Sequence, residues 1–155
     1  MKQSDNLKLF CITNKQLNYL EDLPLILAGV GKRKFKKNYL ICLKGKNIQK
    51  KEKNYSELTF HYWFWKNYLK RFDNKTWIGF CQKRRFWIKS NKKIKNMKEL
   101  KKYILKKPNK KWEKYESIIC NPIKVDNPKR MKLFKRGWKN LIKDPSIILN
   151  KKNKI

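Results

Sequence analysis

The chain has 155 residues, enough for one domain with a buried core, and no apolar run approaches the roughly 20 residues of a membrane span. Aromatic residues make up 14% of it, which excludes a disordered tail, because such segments are poor in large rings. The formal net charge of +32 (43 Lys and Arg against 11 Asp and Glu) by itself indicates a nucleic-acid binder.

Short apolar segments predict the strands of a sheet. Residues 7–13, 39–43 and 76–81 are apolar without a helical period and predict three strands, and residues 117–120 predict a short fourth. Residues 23–30 are apolar but interrupted by a proline and a glycine, so their type stays open. The polar stretches between these segments predict loops, at residues 14–22 and 45–54.

Three segments predict helices, at residues 56–72, 97–106 and 128–143. In the first, Ser56 suits the N-cap, and Glu57 suits the first turn, where a carboxylate stabilises the helix dipole. Apolar side chains recur at helical spacing and predict the buried face of this helix: Leu58, Tyr62, Trp65 and Leu69.

The alternation of strands and helices predicts an α/β domain with a largely parallel sheet. In such sheets ligands bind beyond the carboxyl ends of the strands. We expect residues 1–143 to form this domain, which we expect to be incomplete, and residues 144–155 to form a polar basic tail.

Four cysteines are spread along the chain with no close pair, at positions 11, 42, 81 and 120. Zinc sites usually draw their ligands from close pairs, and the chain has one His to add. Each cysteine has apolar neighbours, which predicts four buried, reduced thiols in strands and favours a reducing, intracellular location.

Two arginines follow the third predicted strand directly. A buried strand would deliver Arg84 and Arg85 to the carboxyl edge of the sheet, where two guanidinium groups can bind a diphosphate. Ordinary surface charge is the alternative interpretation of this pair.

Two motifs carry a resemblance to a known family. The chain reads Tyr-Ser-Glu-Leu-Thr at residues 55–59 and Tyr-Trp-Phe-Trp-Lys-Asn at residues 62–67, followed by Ile-Gly-Phe-Cys at 78–81 and Arg-Arg-Phe at 84–86. Together with the opening strand, these strings resemble a glycosyltransferase-like family of bacterial capsule and exopolysaccharide biosynthesis, domain of unknown function 4422. The resemblance covers residues 7–87, the N-terminal part of the chain.

The resemblance implies a single Rossmann-like, GT-A-like nucleotide-sugar-transferase domain. It implies that a sugar is transferred from a nucleotide-diphosphate donor to a glycan acceptor, in surface polysaccharide synthesis. Arg84 and Arg85 are then the candidates for binding the diphosphate, and Glu57 is the candidate catalytic carboxylate, with helix capping as its alternative role. The adjoining polar residues are the further candidates for substrate binding: Tyr55, Ser56 and Thr59.

No metal ligand or cofactor site is identified from the sequence. The 11 acidic residues contain no Asp-x-Asp pair, although a divalent metal stays open as an alternative way to neutralise a leaving diphosphate.

The chain lacks the histidines that the family pattern has at two positions. Asn14 stands where the family's first strand ends in His, and Gln82 and Lys83 stand where the family has His-Tyr. His61, the single His, falls outside the pattern and is expected to be a packed or surface residue. We also expect a complete domain of this kind to be longer, so whether the chain is an active enzyme stays open.

The alternative function is a basic RNA-binding or ribosome-associated protein, based on the net charge and the interspersed aromatic residues. Against it, only 6 of the 43 basic residues are Arg, and the chain is rich in Lys, Asn and Ile, whose codons are A/T-rich. A third alternative, peripheral contact with anionic membrane through lysine patches, is compatible with a cytoplasmic enzyme at the inner membrane face.

Overall fold

The first strand, β1 (Leu7–Thr13), forms where the sequence predicts it and is buried from its third residue onward. The computed structural model describes residues 6–89 and 94–120. Within these residues, successive side chains of β1 point to opposite faces of the sheet, and both faces are covered by other elements.

Three more strands join β1 in a four-stranded sheet, β2 (Ile26–Gly29), β3 (Leu40–Ile41) and β4 (Trp77–Gln82). The spatial order is β3-β2-β1-β4, and every pairing is parallel. The predicted α/β class with a parallel sheet is therefore confirmed, and the open segment 23–30 supplies β2.

Two of the strand predictions fail in part or in full. The strand predicted at residues 39–43 shortens to the two residues of β3, and its Ile41 is 38% exposed. The strand predicted at residues 117–120 is wrong, because that segment forms no strand and Ile119 is 84% exposed. An apolar pair of isoleucines predicts a strand only if a sheet edge is available to bind it.

The described α-helices are short: α1 (Asn18–Glu21), α2 (Glu52–Tyr55), α3 (Leu58–Trp63) and α4 (Met97–Tyr103). α1 and α2 lie in segments predicted as loops, so those two loop predictions are wrong. α3 continues through a π-helical turn, Phe64–Tyr68, and a 3-10 turn, Leu69–Arg71, so the helix predicted at residues 56–72 exists but begins two residues later.

Each face of the sheet has its own core. Phe10 and Ile12 of β1 pack with α3 and the π-helical turn on one face. Leu9 and Cys11 point to the other face and pack with α1 and α4, through Leu20 and through Leu100 with Ile104. The chain thus covers a parallel sheet on both sides, as such sheets require.

The buried face of the aromatic helix is not the predicted one. Leu58, Trp65 and Leu69 are 59%, 56% and 40% exposed, whereas the side chains that pack on the sheet are Phe60, Trp63 and Phe64. Both sets have helical spacing, so periodicity alone does not separate them. The second set is buried because its rings pack against the aromatic side chains of the sheet. The ring centroids of Phe10 and Phe64, for example, lie 4.9 Å apart.

Ser56 does not cap α3, contrary to the prediction. Its backbone has φ +48° and ψ −120°, and no side-chain hydrogen bond caps either α2 or α3. A positive φ is unfavourable for a residue with a Cβ, so Ser56 forms a strained break between the two helices.

Three of the four cysteines are buried free thiols, as predicted, although Cys42 lies just after β3 and not in a strand. Cys11 and Cys81 are register partners on β1 and β4, and a hydrogen bond between their thiols, together with burial, raises the pKa of Cys81. Burial also raises the pKa of Cys42. Cys120 is exposed, so the prediction of a buried strand cysteine there is wrong.

The described residues fall in two units, one that ends at Glu116 and one that begins at Ser117. The helix predicted at residues 128–143 and the domain boundary predicted at residue 143 lie outside the described residues.

Candidate functional site

The carboxyl ends of β1 and β4 form the switch point of the sheet. From β1, the chain adds β2 on one side and later β4 on the other. In open parallel sheets the loops on either side of such a reversal diverge and leave a crevice, which is where ligands bind. The predicted site at the carboxyl edge therefore corresponds to the two loops that leave β1 and β4.

The loop after β1 is held by a side-chain turn. The buried Thr13 hydroxyl donates to the Lys15 carbonyl at 2.7 Å and accepts from the Lys15 amide at 3.1 Å. This local ring directs the chain out of the sheet. As a result, Asn14 and Lys15 are exposed at the edge.

The loop after β4 is a tight reversal. The Gln82 amide donates to the Arg85 carbonyl at 3.2 Å, and the Arg85 amide donates to the Gln82 carbonyl at 3.0 Å. Lys83 and Arg84 therefore occupy the two central positions of the turn, and Arg84 is exposed. The returning chain is anchored by the Trp87 indole, which donates to the Phe80 carbonyl at 2.9 Å.

Two hydrogen bonds join the loops to each other and to α1. The Lys83 Nζ donates to Asn14 Oδ1 at 2.8 Å, and the Tyr19 hydroxyl donates to the Lys83 carbonyl at 2.7 Å. Burial and the Cys11 thiol raise the pKa of Tyr19, and the charge of Arg84 acts in the opposite direction. The turn that carries Arg84 is thus bonded to α1 through the Lys83 carbonyl.

Sequence reasoning did not include Asn14, Lys15, Tyr19 or Lys83 in the site. Asn14 and Lys83 were noticed only as departures from the family pattern, and the structure places these two in direct contact. The rule that placed Arg84 at the carboxyl edge applies equally to the residues that follow β1, and it could have identified Asn14 and Lys15.

The arginines of the described residues mostly follow strands in the sequence. Four arginines fall in the described part of the chain, and three follow a strand: Arg33 after β2, and Arg84 and Arg85 after β4. Lys is abundant everywhere in this sequence, so the position of Arg is the more informative signal of a cationic site.

The other predicted site residues lie at the junction of α2 and α3. Tyr55 is 46% exposed, and Ser56 is exposed next to it. Thr59 is buried, and its hydroxyl donates to the Ser56 carbonyl at 2.7 Å, so it holds the junction rather than facing solvent.

Glu57 is half-buried beside His61. The His61 ring packs on Phe80 of β4, with 4.4 Å between ring centroids. Burial lowers the pKa of His61, and the charge of Glu57 raises it by a smaller amount. His61 is therefore a packed residue, which was one of its two predicted roles.

The two groups of candidate residues approach the edge from opposite faces of the sheet. The β4 turn is bonded to Tyr19 of α1, whereas Glu57 lies at the start of α3, next to the residues that cover the other face. Within residues 6–89 and 94–120, no hydrogen bond or ion pair joins Glu57 to either arginine of the β4 turn. The structure therefore brings Asn14, Lys83 and Arg84 together but does not join Glu57 to them.

In the described segments, no group of three or more His, Cys, Asp or Glu side chains could hold a metal ion. The groups that do converge at the switch point are cations and neutral hydrogen-bond donors. Such groups can bind an anionic ligand and stabilise a negative charge that develops on it. Among these same segments, no helix has the length and apolar character needed to cross a membrane.

Comparison with known proteins gives one match. No curated protein and no solved structure matches the chain significantly. The model of one family matches residues 8–155, well beyond the residues 7–87 on which the resemblance was based. The chain therefore belongs to the family described as Domain of unknown function (DUF4422).

Proposed function

We propose that this chain is a glycosyltransferase-like protein of surface polysaccharide biosynthesis, with a GT-A-like domain that binds a nucleotide-diphosphate sugar at the carboxyl ends of β1 and β4. One observation carries the proposal. The tight turn after β4 presents Lys83 and Arg84 at the switch point of a parallel sheet, and Lys83 donates a hydrogen bond to Asn14, the residue after β1.

The diphosphate is the part of such a donor that this site fits. A diphosphate carries several negative charges on oxygens that a guanidinium can bind through paired hydrogen bonds. Arg84 supplies that group at the turn, and Lys83 and Lys15 add charge from the two loops. Arg85, exposed on the returning chain, extends the cationic rim.

Glu57 is the proposed carboxylate of the acceptor side. It lies at the start of α3, and α3 covers the opposite face of the sheet from α1. An acceptor hydroxyl bound at Glu57 would therefore approach the donor from the α3 side. Tyr55 offers an exposed ring for a base or a sugar to stack on, and Ser56 offers an exposed hydroxyl. Thr59 supports this junction through its hydrogen bond to the Ser56 carbonyl.

Calorimetric titration of the full chain with a panel of nucleotide-diphosphate sugars tests the proposal. We expect binding to at least one donor, and we expect Arg84→Ala to lose about 1.5–3 kcal/mol of it, the scale of a hydrogen bond to a charged group. Arg85→Ala should lose less, since Arg85 lies further along the returning chain. Arg71→Ala is the matched control, because that exposed arginine lies on the Tyr68 ring, away from the turn.

Equal binding by the wild type and Arg84→Ala would remove the turn from the site. Failure to bind any donor, combined with tight RNA binding that collapses between low and moderate salt, would favour the RNA-binding alternative.

We place the protein in the cytoplasm, since Cys11, Cys42 and Cys81 are buried free thiols of the kind that reducing compartments maintain.

A further inference from the structure

We propose that the exposed face of the aromatic helical segment is a docking surface for an anionic lipid bilayer. This face, the α3 stripe, comprises four side chains that recur along residues 58–71: Leu58, Tyr62, Trp65 and Leu69. The proposal is independent of the donor site, because it depends on other residues.

Three of the four side chains of the α3 stripe are exposed, and the fourth, Tyr62, is half-buried. Leu58 and Trp65 are 59% and 56% exposed, and Leu69 at the far end is 40% exposed. The Tyr62 and Trp65 rings meet at right angles, with 6.2 Å between centroids, so the stripe is continuous in its middle. A continuous exposed apolar face on a highly charged chain marks a place where a partner removes it from water.

The α3 stripe does not serve the core of its own unit. The opposite side of the same helical segment packs on the sheet, through Phe60, Trp63 and Phe64. The segment therefore carries two apolar faces, one satisfied by the sheet and one that faces outward.

Cationic side chains border the α3 stripe. The Lys66 Nζ lies 3.3 Å from the centroid of the Trp65 ring, and Arg71 is exposed just after Leu69 in the chain. Lys70 is exposed between them. A long basic side chain that lies along a ring can cover it in water and then extend to a lipid phosphate when the ring enters the bilayer.

The pattern of charge and apolar surface selects a bilayer over the other anionic partners. An interfacial membrane site combines Trp and Leu side chains, which enter the acyl boundary, with Lys and Arg, which reach anionic headgroups. RNA would gain from stacking on Tyr62 and Trp65, but it would gain nothing from the aliphatic ends Leu58 and Leu69. A second copy of the chain would bring like charges together along the border of the α3 stripe.

Vesicle co-sedimentation of the full chain tests the proposal, with about one third phosphatidylglycerol in phosphatidylcholine against phosphatidylcholine alone. We expect binding to the anionic vesicles that weakens at high salt. The double variant Trp65→Ser/Leu69→Ser should bind about tenfold less tightly or worse, since it removes two apolar anchors. The matched control is Tyr115→Ser/Met97→Ser, whose side chains are 52% and 41% exposed at other places in the same unit.

Trp65→Phe supplies a second readout that does not depend on a loss of affinity. This variant keeps an aromatic anchor, so it should bind the same vesicles. Lipids brominated on their acyl chains quench nearby indoles, and the quenching of the wild-type fluorescence should diminish in Trp65→Phe if Trp65 is the inserted ring.

Three results would overturn the proposal. The first is equal vesicle binding by the wild type and the Trp65→Ser/Leu69→Ser variant. The second is an equal loss in the control variant, which would indicate a general effect of apolar surface. The third is no vesicle binding by the wild type together with binding to single-stranded poly(U) RNA that Trp65→Ser weakens, which would assign the stripe to RNA.

Discussion

Asn67 holds the backbone of Lys46 with both ends of its side-chain amide. Its Oδ1 accepts from the Lys46 amide at 3.0 Å, and its Nδ2 donates to the Lys46 carbonyl at 2.8 Å. One helical turn earlier, the Trp63 indole donates to the Lys44 carbonyl at 2.7 Å. The loop after β3 is thus fixed to the aromatic helical segment, and Gly45, at φ +75°, has no room for a Cβ beside Asn67.

This relationship predicts that Asn67→Ala destabilises the fold by about 1–3 kcal/mol, because two backbone groups of Lys46 lose their partner. Urea unfolding followed by circular dichroism measures the change. Asn54→Ala in α2 is the matched control, since it makes the same helical substitution at an exposed side chain and should have little effect. Similar urea midpoints for the two variants would show that the hydrogen bonds between Asn67 and Lys46 contribute nothing to stability.

Because Phe64 faces the sheet and Trp65 faces solvent, truncating these two neighbouring rings should cost very different amounts of stability. Phe64→Ala should lose about 3–5 kcal/mol of unfolding free energy, because Phe64 is 3% exposed between the sheet and the rest of its cluster. Trp65→Ala should lose about 1 kcal/mol or less, chiefly from its contact with Lys66. Urea unfolding of both variants measures the difference. A larger loss of unfolding free energy for Trp65→Ala would show that the buried face is the one that contains Trp65, as periodicity predicted.

The packing of His61 predicts a stability that falls in mild acid. In the unfolded chain His61 takes up a proton near its ordinary pKa of 6.5, whereas burial lowers its pKa in the folded chain. The unfolded state therefore binds more protons as the pH falls through 6.5, and the free energy of unfolding decreases there. This part of the pH dependence should be absent in His61→Gln.

Urea midpoints of the wild type and His61→Gln at about pH 5 and about pH 7.5 measure this effect. Asp73 is the internal comparison, because hydrogen bonding to Thr76 lowers its pKa below the ordinary 3.8 and its influence begins only in stronger acid. Parallel pH profiles for the two proteins would contradict a packed, neutral imidazole.

The exposure of Cys120 predicts one fast thiol in the native chain. A chromogenic disulfide reagent should titrate one thiol rapidly and the other three only after unfolding, because Cys11, Cys42 and Cys81 are buried. Cys120→Ser should abolish the fast phase and leave the slow ones unchanged. Four slow thiols in the native wild type would instead support the buried strand first predicted at residues 117–120.

The parallel sheet could be predicted from local patterns because its two longest strands are unambiguous locally. β1 and β4 are short, apolar and flanked by polar residues, and each is long enough to pair along its whole length. The position of Arg84 at the carboxyl edge followed from the same pattern, since a residue that leaves a parallel strand must lie at that edge. The family motifs were visible at the same level, because they depend only on residue order.

What the sequence determined by itself was that β1 and β4 are strands and that the segment after Glu57 is helical, together with the edge at which Arg84 and Arg85 emerge. The tertiary structure decided which of two equally periodic faces is buried. Phe60 and Phe64 pack with Phe10 of the sheet, whereas the α3 stripe has no part in that cluster. It also decided that Asn14 meets Lys83 across the switch point, while Glu57 stays on the other face. These outcomes depend on contacts between residues far apart in the chain, and local periodicity carries no information about such contacts.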